Sequence, residues 1–126
     1  MVRVGSALTL TVLLLATACG GGSSPRQLQS ISISAAAANN AVQFIATGHY
    51  NQAPTTLSPL PVFWSIPLLD NDPGPTITQD GIAQCTSGVP GTFSVLAYAP
   101  ADPSIPIEEL LKADKVVLGT SSITCQ

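Results

Sequence analysis

"AVQFIATGHY", residues 41–50, alternates so that Val42, Phe44 and Ala46 fall on one face and Gln43, Thr47 and His49 on the other. That period of two is the mark of a strand with one side buried. The same pattern recurs outward from it. "LQSISIS" (28–34) puts Ile31 and Ile33 on one face, and "PVFWSI" (61–66) sets Val62 with Trp64. "GTFSVLAYA" (91–99) aligns Phe93, Val95 and Ala97, and "LGTSSITC" (118–125) ends with Ile123 and Cys125 on one side. "PTITQDGIAQCT" (75–86) reads as two short strands about the turn pair Asp80-Gly81. Eleven prolines and ten glycines punctuate these segments. Short strands at this spacing predict an all-β chain of about seven strands, folded as two antiparallel sheets packed face to face. "SIPIEELLKADKVV" (104–117) breaks the pattern, with Pro106 near a start, Glu108 and Glu109 early and Lys112 late. That order suits a helix of one or two turns inserted before the last strand.

Composition narrows the function classes. A chain of 126 residues holds one domain of ordinary size. Charged residues are 9% of it and the formal net charge is −3, so no basic surface awaits a nucleic acid. Past residue 20 no apolar run approaches the roughly 18–20 residues that a membrane-spanning helix needs.

The N-terminus has its own logic. Arg3 precedes an uncharged, mostly apolar run from Ala7 to Ala16, followed by the small residues Thr17 and Ala18. This is the order of a secretory signal peptide, expected to be cut after residue 18. Ala16, Thr17, Ala18 and Cys19 resemble the signal of bacterial lipoproteins, in which the cysteine is diacylated and becomes the new N-terminus. An ordinary signal peptide with an incidental cysteine is the other reading. Residues 19–26, with Gly20, Gly21, Gly22, Ser23 and Ser24, then form a flexible tether between the lipid and a domain spanning 27–126. Two or more acyl chains would hold such a protein stably at the membrane. Gly20 stands where many such proteins carry an aspartate that retains them at the inner membrane, which favours the outer membrane of a Gram-negative envelope.

With Cys19 given to lipid, Cys85 and Cys125 remain in an oxidising compartment, where two thiols are expected to pair. A closed loop of about 40 residues is worth roughly 4 kcal/mol in the chain-entropy account. Two cysteines and the single histidine, His49, are too few for a structural zinc site.

"LQSISIS", "VQFIATGHY", "VFWSI", "ITQDGIAQC" and "PGTFSVLAYA", in that order, resemble the strands of the group 2 bacterial immunoglobulin-like domain of intimin- and invasin-type surface proteins. The likeness runs over about residues 27 to 125. It implies an immunoglobulin-like sandwich with Phe44, Ala46, Trp64, Phe93, Val95 and Ala97 in the core. It also implies a module for adhesion, spacing or display without catalytic machinery. The loop 51–61 lacks the family's usual Asp-Gly turn, and the 100–117 insertion is longer than a simple hairpin.

His49 could serve as a base, with Ser65 and Asp70 as imaginable partners, but no spacing demands it. Asp70, Asn71 and Asp72 offer oxygen ligands for calcium, yet no glutamate completes the loop, and a turn uses the same residues. Trp64 could stack a sugar, though its strand reads as core, and Tyr50 and Tyr98 sit singly on separate strands. Ile105, Ile107, Leu110 and Leu111 are the best candidates for contact with a partner, either as an exposed apolar patch or as a lid on one end of the sandwich. The expectation is a non-catalytic, lipid-anchored envelope protein with no cofactor and no metal. It would bind a protein or glycan, or support an envelope assembly from the periplasmic side.

Overall fold

Each of the two sheets grows outward from one long strand. A computed structural model describes residues 25–126; Cys19, the signal segment and most of the tether lie outside the described residues. The strands are β1 (Leu28–Ala38), β2 (Ala41–Tyr50), β3 (Thr56–Leu57), β4 (Phe63–Ser65), β5 (Thr76–Ile77), β6 (Ile82–Gln84), β7 (Gly91–Pro100) and β8 (Val116–Cys125). A 3-10 helix, Ile107–Lys112, precedes β8. β2 centres a five-stranded sheet ordered β1-β2-β6-β5, with β3 also pairing to β2; β7 centres a three-stranded sheet ordered β4-β7-β8. Every pairing is antiparallel.

The β1–β2 hairpin turns on Asn39 and Asn40, whose φ values of 43° and 66° give the left-handed two-residue turn that matches strand twist. Asparagine is among the few residues that tolerate it. β1 extends past the expected 28–34 because Ala35–Ala38 continue the ladder against Ala41–Phe44. An alanine run carries no alternation, so pairing rather than pattern makes this stretch a strand. At the other end the register slips, Leu28 facing Tyr50 and Ser30 facing His49. The extra residue in β1 lets both Leu28 and Ile31 face the core although they are three apart. Ile33, on the face shared with Ile31, packs half-buried against it.

Phe44, Ala46, Trp64, Val95 and Ala97 are all buried between the sheets, and Phe93 packs half-buried beside them. The Phe44 and Trp64 rings meet across the two sheets at 6.2 Å, tilted by 44°. The Cys85–Cys125 disulfide joins the residue after β6 to the end of β8, one sheet to the other. Opposite it, β8 presses on β1. A Cβ on Gly119 would stand 2.7 Å from Ile31 Cγ2 and 2.9 Å from the Ile31 carbonyl oxygen.

Two features differ from the sequence reading. β3 was not expected, because Pro54, Pro59 and Pro61 mask the segment; it exists through its pairing with Gly48 and His49. The helix is a 3-10 turn with no side-chain cap and no buried residue, and Glu109 departs from helical angles at φ −108°. Its charges do follow the expected order, Glu108 and Glu109 in the first turn and Lys112 in the last.

Candidate interaction surface

No Asp, Glu, Lys or Arg lies on a strand among the described residues; all of them sit in loops, in the helix or before β1. A soluble surface ordinarily mixes about 25–35% charged residues. Here both sheets turn uncharged outer faces to the surroundings.

The outer face of the three-stranded sheet is the more apolar. Phe63 of β4, Tyr98 of β7 and Leu118 of β8 stand in register across it. Their alternation with the inward Trp64, Ala97 and Val117 leaves Phe63 46% and Leu118 50% exposed. The Phe63 and Tyr98 rings lie 6.4 Å apart. The 3-10 helix sets Leu110 beside this row and projects Leu111, which is 100% exposed. Phe63, Tyr98, Leu110, Leu111, Ala113 and Val116 line a shallow hollow of about 360 Å³. The other half of the face carries hydroxyls, with Thr92 and Thr124 in hydrogen-bond contact at 3.2 Å.

The four residues expected to meet a partner are thus divided. Leu110 and Leu111 join the outer face, whereas Ile105 and Ile107 are half-buried at the end of the sandwich, lining a second hollow with Arg26, Tyr50 and Leu60. Arg26 stacks 3.7 Å over the Tyr50 ring there, and its Nη2 donates to the Pro54 carbonyl at 2.6 Å. Tyr98 was weighed from sequence only as a tyrosine standing singly on its strand, and Phe63, Val116 and Leu118 were not singled out. The alternation in "PVFWSI" and "GTFSVLAYA" already put Phe63 and Tyr98 opposite the core residues, and that signal could have found them.

A larger cleft of about 740 Å³ opens where the chain crosses between sheets. β6 covers one end of the outer edge of β2 and β3 the other. Between them the Phe44 N–H donates to Gly81 and the Leu60 N–H to Ala46, both at 2.8 Å. The Gln79 side chain closes the edge of β4 as a strand would, accepting from the Trp64 N–H at 3.3 Å and donating to the Trp64 carbonyl at 3.2 Å. Gln43 Nε2 donates to the Phe44 and Asp80 carbonyls at 3.0 and 2.9 Å. Trp64 keeps only 5% exposure, so it offers no platform for a sugar.

The remaining polar groups do little chemistry together. His49 Nε2 meets Ser32 Oγ at 2.8 Å on the outer face of the five-stranded sheet, a contact the sequence reading did not name. Among the described residues no carboxylate hydrogen-bonds His49 to orient it, and Ser65 and Asp70 lie on other segments. Asp70, Asn71 and Asp72 form a turn, Asn71 at φ 67° and the Asp72 N–H donating to Leu69 at 3.0 Å. The described residues hold no group of three metal-ligating side chains. The Ser104 hydroxyl and N–H, at 2.7 and 2.9 Å, hold the Asp102 carboxyl below its ordinary pKa. Comparison with known protein families, curated proteins and solved structures finds no match for this chain.

Proposed function

We propose that this chain is a non-catalytic cell-envelope lipoprotein whose domain serves adhesion, binding or display. In this reading residues 1–18 are removed on export, Cys19 carries the lipid, residues 19–26 are the tether and 27–126 form an immunoglobulin-like domain of the group 2 bacterial kind. Two antiparallel sheets, with the resembling segments in order and Phe44, Trp64 and Val95 turned inward, support the immunoglobulin-like reading. The observation that carries the function is the charge-free outer face of the three-stranded sheet, with Phe63, Leu118 and Leu111 exposed on it. An exposed apolar row on a domain with few charges marks a surface that meets a partner, here a protein or glycan.

Protease treatment of intact cells, compared with gently lysed cells, tests the reading. Cleavage on intact cells is the expected result. Protection until lysis would replace display with the role of a periplasm-facing accessory subunit of an envelope assembly. Cys19→Ser should move the protein from the membrane fraction to the soluble one with its melting temperature unchanged. Retention in the membrane would sink the lipid anchor.

A further inference from the structure

We propose that the free outer edge of β1, over residues 34–38, pairs antiparallel with the same edge of a second copy of this chain, about a two-fold axis at Ala36. The argument starts from the hairpin. A two-residue turn makes its flanking residues, Ala38 and Ala41, a hydrogen-bonded pair. Alternation makes Ala36–Gln43 and Ser34–Ile45 hydrogen-bonded as well, and aims the N–H and C=O groups of Ala35 and Ala37 off the outer edge. Two contacts agree with this parity. The Ile31 carbonyl, an odd position, turns away from β2 to lie against Gly119 of β8. On β2, the Phe44 N–H and Ala46 C=O turn away from β1 to reach Gly81 and Leu60.

β8 covers this edge at Ile31, but residues 34–38 are exposed. Among the described residues the backbone of Ala35 and Ala37 has no partner on that side. Two other edges are blunted: Gln79 occupies the side of β4, and β5 is two residues long. The usual protections of a free edge are absent here, since 34–38 holds no charge, no proline and no bulge.

A second copy is the occupant the geometry favours, because the exposed groups are self-complementary. A two-fold axis at Ala36 sets Ala35 opposite Ala37 of the second copy and Ala37 opposite its Ala35, giving about four N–H···O bonds between the two edges. Only serine and alanine side chains meet across the seam, so there is neither steric conflict nor like charge to oppose it. The two five-stranded sheets become one. This inference stands apart from the envelope reading and does not depend on the lipid.

Cysteine cross-linking on the full chain tests it. Ala36 would face Ala36 of the second copy in a non-hydrogen-bonded pair, at about 4.5 Å between Cα atoms and inside disulfide range. Ala36→Cys, mildly oxidised, should therefore give a dimer on a non-reducing gel, with peptide mapping joining the two introduced thiols. Ser34→Cys lies on the same strand face and is equally open, but its two copies would stand about 13 Å apart, too far to bridge. The expected dimer yield is at least ten-fold higher for Ala36→Cys. Ala35→Pro added to Ala36→Cys removes an outward donor while leaving the β1–β2 ladder intact, and should abolish the dimer with the far-ultraviolet spectrum unchanged. Equal yields from the two cysteine variants overturn the proposal, as does a dimer that survives Ala35→Pro. Should Ala35→Pro not fold, the two cysteine variants decide the matter between them.

Discussion

The three-stranded and five-stranded sheets are held together by different means. β7 and β8 pair without interruption from Gly91–Cys125 to Pro100–Val116, so a continuous backbone ladder runs through the centre of the smaller sheet. The larger sheet has one comparable ladder, β1–β2, and beyond it come strands of two or three residues. That irregular side relies on single devices: the Gln79 and Gln43 amides, the turn at Gly81, and the disulfide. A long ladder spreads its stability over many small terms, whereas a patched edge concentrates it in a few residues. Loss of one such device should therefore cost the second region more than loss of one ladder hydrogen bond costs the first.

The largest expected effect comes from the disulfide. Replacing both Cys85 and Cys125 by alanine should lower the unfolding free energy by about 4 kcal/mol, since the bridge closes a loop of 40 residues. Equilibrium urea unfolding reads this directly, and a loss under about 1 kcal/mol would mean that the sheets do not depend on the bridge.

Next comes the seam where the two sheets touch. Gly119→Ala drives a methyl into the β-branched side chain and carbonyl of Ile31, neither of which can swing away, and should cost about 3 kcal/mol. Gly88→Ala is the matched control. Gly88 has φ +78° with nothing within 4 Å of the added carbon, so only backbone strain of about 1 kcal/mol is expected. Equal costs at the two positions would remove the close β1–β8 approach from the account.

Gln79→Ala sharpens the comparison within the patched region. It leaves the Trp64 N–H and carbonyl without partners on the cleft side, for about 1–2 kcal/mol. Amide hydrogen exchange at Trp64 should quicken while exchange along β7 and β8 stays as it was. Unchanged exchange at Trp64 would mean that water replaces the amide at no cost.

The smallest effect is one of pH. Hydrogen bonds from Ser104 lower the Asp102 pKa in the folded state, so the ionised form stabilises the fold above the ordinary carboxylate pKa. That contribution fades as pH falls through the lowered value. Asp102→Asn should remove this part of the acid-side slope of stability, slightly, because the carboxyl is fully exposed. A steeper slope in the variant would reverse the sign argued here.

The same contrast explains what could be read in advance. Strands buried on one face announce themselves, and β2, β4 and β7 were legible because Phe44 with Ala46, Val62 with Trp64, and Phe93, Val95 and Ala97 fall at every second residue. β3 and the alanine end of β1 carry no such alternation. They are strands only because a neighbouring backbone offers them partners. The outer row was half legible: Leu110 and Leu111 stood out as apolar residues on a charged segment. Tyr98 was noticed only as a single residue, and Phe63 hid behind the core residues it alternates with.

The all-β class, the position of most strands, the turn at Asp80-Gly81, part of the core (Phe44, Ala46, Trp64, Val95 and Ala97) and the short helix before the last strand could be read from the amino-acid sequence. These follow from local periodicity and turn chemistry, which act over a few residues. Long-range packing, in contrast, sets Leu111 beside Phe63, Tyr98 and Leu118 on one face, brings Gln79 to the edge of β4, and has β8 cover β1 at Ile31 while leaving 34–38 bare. Those outcomes depend on strand order, register and the bulge after Leu28, which are settled by contacts between residues far apart in the chain.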